Sequence, residues 1–420
     1  MDTHHLIRDL ENALSSLSAN TGQLDDQQRH QVLQSCRTLC AAVETPVNRF
    51  VTWLDLQTEI SLYIVLRMGI DIGLFSLFQE APPGAELDIS DIASQTGINE
   101  EFIGRLMRYL VSFGVFDVTP QGKCKATSFA KSFCPNQSAF AGVVWMSGRS
   151  LFNLPEYLKQ RDYQCPRDGS CGPFQHEFRT HLTLYDWLQA HPLEGESFNL
   201  LMETSSSKTE AGVWTQYLPE SWISDHLLSR KNRDGKPLTI VDVGGGYGQE
   251  LTAFRDAFPN LDGRYILQDR SAVPPSHTKN SKTTHNTKDG AEQAQIEVMR
   301  HDFFNPQPVF GADVYLLSRI LHNWPDEKAR VILSHLCAAM SQDSTLLVID
   351  RIFPDKLERV SETMTMLDLG MMASLSALER TEGQCRELLS SVGLRLMNVW
   401  RAANSHGDDE CRAILQVVTG

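Results

Sequence analysis

The residues best placed to do chemistry are a glycine run, a series of acids and one histidine. In IVDVGGGYGQE, Asp242 is followed by Gly244, Gly245, Gly246 and Gly248, a GxGxG turn between an apolar run and a helical one. Glycines let a strand turn sharply and a ligand lie against bare backbone, and the helix start that follows offers unpaired N–H groups. The next apolar run ends at Asp269, 23 residues after Gly246, where a carboxylate can accept from both hydroxyls of a ribose. His301-Asp302-Phe303 closes the third run and sets an acid and a flat apolar side chain together, which suits an amine-bearing base such as adenine. A dinucleotide prefers GxGxxG spacing, and Asp242 would repel its phosphates. Acids on both sides of the turn therefore point to a cationic, phosphate-free nucleoside, S-adenosylmethionine. For any single acid, a helix-capping role is an equally simple reading.

The histidine is His322, in SRILHNWPDE at the end of a fourth apolar run. Ligands of open α/β sheets bind at the carboxyl ends of the strands. A phenolic hydroxyl with a pKa near ~10 is mostly protonated at neutral pH, and an imidazole near ~6.5 can take its proton. Asp350 ends the fifth run, and Glu379 lies before the sixth, in LERTE. Either acid can accept the imidazole N–H and stabilise the cation. The alternatives are a cap or Arg351 pairing for Asp350, and a cap near Thr381 for Glu379. Pro325, Asp326 and Glu327 account for the start of the next helix, which frees His322 from a capping role. Trp324 and the methionines Met366, Met371 and Met372 of TMTMLDLGMMASL suit the wall of a pocket for a flat ligand, or simply a core.

These residues need a sheet beneath them. From Leu238 onward, apolar runs at 238–243, 264–268, 296–300, 313–318, 345–350, 394–399 and 412–418 alternate with helical segments. The pattern predicts a Rossmann-like, doubly wound, parallel seven-stranded α/β sheet. The polar stretch between Asp269 and Asp302 is too long for a tight connection. In the first 80 residues, HHLIRDLENALSSL (4–17), HQVLQSCRTLCAAV and FVTWLDLQTEISLYIVLRMGI carry three- and four-residue apolar spacing, so their helices must bury stripes in a bundle or a subunit interface. Residues 87–133 predict a winged helix: a helix over Ile89–Thr96, a turn at Gly97, a helix over Asn99–Phe113, and a two-strand wing about Pro120-Gln121-Gly122. Segments 160–175 and 191–197 have loop composition, and among the amphipathic helices read between and after them is FRTHLTLYDWLQAHP (178–192). The expected division is a helical N-terminal domain over 1–135, a helical connector and substrate cover over 136–236, and a cofactor-binding catalytic domain over 237–420.

A chain of 420 residues with 41% hydrophobic content can fill two cores. A net charge of −14 argues against nucleic acid as a partner, and the second winged-helix helix opens on Asn99-Glu100-Glu101. The densest apolar stretch, Ile60–Phe78, is interrupted by Arg67 and Asp71, so no bilayer span is expected, and the N-terminus lacks a signal-peptide pattern. Nine cysteines without a CxxC pair read as free thiols in a cytoplasmic protein. His176, His181 and His191 lack metal-site spacing, so no metal is expected.

In order and spacing, VDVGGGYG, LQD, HDFF, LHNWPDE, VIDRIFPD and ALERTEGQCRELLSSVGL resemble the small-molecule O-methyltransferases of plant and fungal secondary metabolism. The likeness runs from about residue 50 and includes the winged-helix segment. It implies a homodimer whose N-terminal domain lines the partner's pocket, and a small aromatic or polyketide-like acceptor. It places Gly244 at the cofactor's methionine moiety, Asp269 at the ribose, Asp302 and Phe303 at the adenine, and Asp350 and Glu379 beside a catalytic His322. Where plant members often carry lysine four residues before that histidine, Ser318 stands here, followed by Arg319, and Asn323 replaces the more usual aspartate. Some fungal proteins of this fold keep the cofactor as an electrostatic prop for dehydration or pericyclic ring closure, a second reading. A non-enzymatic regulatory protein, the third, would leave the acid series idle.

Overall fold

The computed structural model describes residues 26–43, 45, 56–82, 84–133, 146–205, 213–229, 237–261, 263–270, 295–358, 360–401 and 411–420. The helix expected over residues 4–17 and the long polar stretch from 271 to 294 lie outside these. The chain divides into two compact units, Met1–Phe129 and Ala130–Gly420. The 136–236 stretch, read from the sequence as a connector, belongs to the second unit in this division.

In the first unit, helices Asp26–Val43, Leu56–Asp71 and Leu74–Glu80 precede the winged helix. Strand β1 (Glu86–Leu87) leads into helix Ile89–Thr96, which Gly97 ends with φ +71°, a left-handed conformation that favours glycine. Asn99 caps the second helix, Glu100–Ser112, accepting from Phe102 N–H at 3.0 Å. Its buried residues Ile103, Leu106, Met107 and Leu110 recur at steps of three, one and three, the stripe of a helix pressed on a core. Strands β2 (Phe116–Val118) and β3 (Cys124–Ala126) form the wing. The sequence pattern missed β1, which pairs with β3 over two residues and is too short to show alternation. No single described helix is long and apolar enough to cross a membrane.

In the second unit, β4 (Leu238–Val243), β5 (Gly263–Asp269), β6 (Ile296–Arg300), β7 (Val314–Ser318), β8 (Thr345–Phe353), β10 (Leu394–Arg401) and β11 (Arg412–Thr419) line up as β10-β11-β8-β7-β4-β5-β6. A two-residue strand, β9 (Arg380–Thr381), adds to β8. All seven expected strands form, within a few residues of their expected bounds. One expectation is corrected: the sheet is mixed, because β11 runs antiparallel to both β8 and β10. Only residues 402–411 separate β10 from β11, too few for the crossover that a parallel pair requires.

The central strands are buried on both faces, as their unbroken apolar runs demand. Helices Asp326–Ala339 and Glu382–Ser390 contribute Ile332, Leu336 and Leu388 to one face. Trp214, Trp222 and Phe254 cover the other. The chain leaves β4 toward β5 and β6 and returns to β4's other side at β7, so the strand order reverses at β4, where ligands of such sheets bind.

Two helical expectations change. Residues 178–192 form no single helix: Arg179 has φ 50° and the helix covers only Leu184–Ala190, started by Thr183, whose hydroxyl accepts from Asp186 N–H. Residues 192–197, read as loop, open the helix Pro192–Ser205, with proline at its first position, where no N–H is needed.

Candidate active site

The end of β4 makes the turn that the glycines promise. Gly244 N–H and Gly245 N–H both donate to Gln268 O, at 2.8 and 3.1 Å, tying the turn to β5. Gly246 N–H donates to Asp269 Oδ2 at 3.0 Å, and Gly248 starts helix Gln249–Ala257 with φ +77°. A methyl group on Gly244, itself at φ +73°, would stand 2.9 Å from Ile320 Cδ1 and 3.1 Å from Phe303 Cε1. On Gly245 it would stand 2.2 Å from Asp242 Oδ2. The turn is therefore closed on its inner side by Asp242, Phe303 and Ile320, and only bare backbone fits.

Asp242 is fully buried, and neither carboxylate oxygen has a hydrogen-bond donor. Burial first, then the nearby acids Glu250 and Asp269, push its carboxyl up to about 8; the opposing pull of the neighbouring backbone and Arg319 is too weak to offset burial. A buried acid without a donor beside a glycine turn suits a cationic ligand. Asp302 Oδ1 accepts from Phe304 N–H at 3.0 Å, a local turn contact that caps no helix. Phe303, Phe304 and Trp324 meet edge to face, with ring centroids 4.8 to 6.0 Å apart. Tyr185, from the Leu184–Ala190 helix, joins them with its centroid 5.6 Å from Trp324.

His322 sits in a single 3₁₀ turn, Leu321–Asn323, just after β7. It is 8% exposed, and its Nδ1 lies 2.9 Å from Glu379 Oε1. Glu379 N–H in turn donates to Asp368 Oδ1 at 2.9 Å. Of the two candidate acids, Glu379 holds the ring; Asp350, 5% exposed, leaves Oδ1 without a donor, as Glu379 does Oε2. Burial alone would push the His322 pKa down, but Asp350 and Glu379 outweigh it and hold it above the ordinary histidine value. Burial pushes Asp350 up to about 6, against the pull of His322. Thr381 caps helix Glu382–Ser390 with its own hydroxyl, so Glu379 is not needed there. Pro325 stands one position before the helix, at its N-cap, and Asp326 and Glu327 fill the first turn as expected.

Asn323, the departure from the family's aspartate, has a structural reason. Its Nδ2 donates to Arg319 O at 2.8 Å, a bond that an aspartate, having no N–H, could not make. Arg319 holds φ 54°, and its own N–H donates to Ile349 O at 2.8 Å. Ser318 and Arg319 line a small cleft together with Asp350, Glu250, Trp214 and Arg412. Met371 and Met372 are half-buried, and Met366 is 57% exposed. Their helix, Glu362–Leu375, packs on the His322 turn. Among the other aromatics, Phe152 is exposed, Trp187 is buried on Phe174 and Phe178, and Trp214 donates to Glu250 Oε2 at 2.7 Å.

Sequence reasoning passed over Arg380, Asp368 and Tyr185. Arg380 is 3% exposed and donates to Leu321 O and Trp324 O, both at 2.7 Å, and to Asp326 Oδ1 at 2.8 and 3.0 Å. Its neighbour Glu379 gave the one hint, since an arginine beside a buried acid needs partners of its own.

A reversed sheet order at β4, a glycine turn that only bare backbone fits, a buried acid without a donor and a ribose-competent acid on the next strand define a nucleoside-binding methyltransferase fold, with S-adenosylmethionine as cofactor. Residues 54–136 match the O-methyltransferase dimerisation domain and residues 190–395 the O-methyltransferase domain. Demethylsterigmatocystin 6-O-methyltransferase of Aspergillus parasiticus is 30% identical over 400 residues, covering 93% of this chain and 94% of that one. O-methyltransferase lepI of Aspergillus flavus is 30% identical over 394 residues, 93% and 95% of the two chains. The structure of LepI in complex with SAM superposes with a TM-score of 0.74 at 25% identity over 100% of both chains, and a further match at the same score and identity, covering 99% and 100%, is described as a pericyclic reaction enzyme. The chain belongs to the S-adenosylmethionine-dependent O-methyltransferase family of secondary metabolism.

Proposed function

We propose that this enzyme methylates a phenolic or enolic hydroxyl of a small aromatic, polyketide-like metabolite, with His322 as general base, and works as a homodimer. The observation that carries the reading is the buried 2.9 Å contact between His322 Nδ1 and Glu379 Oε1. With Nδ1 committed to the carboxylate, Nε2 is the nitrogen left to take a proton, and the ring cannot turn away. S-adenosylmethionine supplies a methyl group already activated by the sulfonium charge, so the acceptor is the partner that needs help. His322 withdraws the hydroxyl proton at Nε2, a contribution on the order of 10²–10⁴ in rate. Glu379 and Asp350 stabilise the imidazolium that results. The residues that fit the cofactor are Asp269 for the ribose, Asp242 and the Gly244–Gly246 backbone for the sulfonium end, Phe303 beside the base, and Ser318 and Arg319 along the cleft.

A second reading, a pericyclic or dehydration reaction with the cofactor as an electrostatic prop, is favoured by the full-length likeness to LepI. Incubation with methyl-labelled S-adenosylmethionine and a panel of phenolic polyketides, beginning with demethylsterigmatocystin, separates the two. Label should move to the acceptor, and His322→Gln should slow transfer on the order of 10²–10⁴-fold. Undiminished transfer by that variant would sink the general base, and product formed without label would favour the second reading.

A further inference from the structure

Arg380 and Glu379 are adjacent in the chain and grip the same turn at different points. Glu379 holds the His322 ring, while Arg380 donates to the carbonyls of Leu321 and Trp324, the residue before His322 and the second one after it, and to Asp326 at the start of the following helix. A guanidinium offers five N–H groups in a fixed plane, so one side chain can span a whole turn. Arg380 is itself anchored, because it lies in β9 opposite Ile352, two residues beyond Asp350 on β8. The positions of Asp350, Glu379 and the His322 turn are thus referred to one strand pair. From the inside, Asn323 closes the turn on Arg319 O.

We propose that Arg380 is the positioning residue of the active site: it fixes the His322 turn against Glu379 and β8, so that the imidazole meets the acceptor hydroxyl in line. Asn323 is the second, weaker fastener of the same turn. This assignment rests on His322 being the base. The charged groups that face the ring are Asp350 and Arg351 from β8 and Glu379 ahead of β9, with Asp368 of the Glu362–Leu375 helix behind Glu379. Loosening the turn should weaken the ring's contact with Glu379 and let its pKa fall back toward the ordinary histidine value.

The test compares Arg380→Lys, which keeps the charge and loses the fork, Arg380→Met and Asn323→Ala with wild type. Labelled-methyl transfer to demethylsterigmatocystin or another accepted phenol is followed from pH 5 to 10. In parallel, ¹³C-histidine resonances of the S-adenosylhomocysteine-saturated protein are titrated, with His322→Gln assigning the signal among the 13 histidines. Arg380→Lys should lower kcat on the order of 10–100-fold, the effect of a misplacement near 1 Å. KM for S-adenosylmethionine should stay within about twofold, which marks an effect on the transition state alone. The rising limb of kcat/KM and the His322 titration should both move to lower pH, which lowered stability alone would not produce; Asn323→Ala, which removes the bond to Arg319 O without adding a charge, should do the same to a smaller degree. Should Arg380→Met fail to fold, the lysine and Asn323 variants carry the test. A wild-type kcat in Arg380→Lys, or a His322 titration that stays in place, overturns the assignment. Full activity in His322→Gln overturns the general base instead, while the titration still judges the clamp.

Discussion

Asp242 is the residue whose burial bears most directly on stability. Its carboxyl holds a proton up to about 8 in the fold, against 3.8 in the unfolded chain. The folded state therefore binds that proton more tightly, so Asp242 favours folding at acidic pH, and the advantage is lost as pH rises from about 4 toward 8. Asp242→Asn should raise the urea midpoint of the ligand-free protein at pH 8 by the equivalent of about 1–3 kcal/mol and flatten the pH dependence of stability. The same variant should bind S-adenosylmethionine more weakly by calorimetry. A variant that is less stable at pH 8, or that binds undiminished, would refute a ligand-directed role. At this scale the sequence was informative where a residue's job depends on its strand: Asp242, Asp269 and His322 all fall at carboxyl ends that apolar runs mark out. It could not say which of Asp350 and Glu379 holds the ring, because that depends on β9, two residues whose pairing has no periodic signal. Arg380 was hidden for the same reason, its four bonds all reaching residues more than fifty positions away.

Among the elements, the β4 turn is where the backbone is most tightly constrained. Gly246 has φ +56° with open space where a side chain would go, while Gly244 has both a positive φ and close neighbours. Gly246→Ala should cost about 1–2 kcal/mol of stability through its backbone alone. Gly244→Ala adds the collision with Phe303 and Ile320, so it should cost more and should also weaken S-adenosylhomocysteine binding by over tenfold, read by calorimetry. Equal losses in the two variants would mean that the closed inner side of the turn is unimportant. The turn was legible from its spacing because only glycine meets those constraints. The reversal of β11 was not, since an alternating apolar run reads the same in either direction and only the length of the 402–411 connection separates the possibilities. The Pro192–Ser205 helix was masked by a proline, which marks a loop or a helix start with equal ease.

For the whole molecule, the unresolved balance is between a large negative charge and apolar surface that one chain leaves uncovered. On helix Asp26–Val43, Leu33 is 54% and Val43 69% exposed, with Cys36 and Cys40 exposed between them at steps of three, four and three. That is the spacing of one helix face, and an uncovered apolar face in a family with a dimerisation domain fits burial against a second copy. Each subunit carries a net charge of −14, so two copies repel, and screening should favour association. Wild type should therefore sediment at twice the chain mass, with a dissociation constant that falls between 50 and 500 mM salt. On a twofold interface a substitution appears twice. Leu33→Glu with Val43→Glu should raise the dissociation constant at least about tenfold, since each buried, unpaired charge costs more than the 1.4 kcal/mol that a factor of ten represents. The double variant should keep wild-type unfolding behaviour in the Ala130–Gly420 unit, because the substituted face belongs to the other. A monomeric wild type would refute the dimer. A dimer indifferent to both glutamates would leave the dimer standing and remove this helix from its interface.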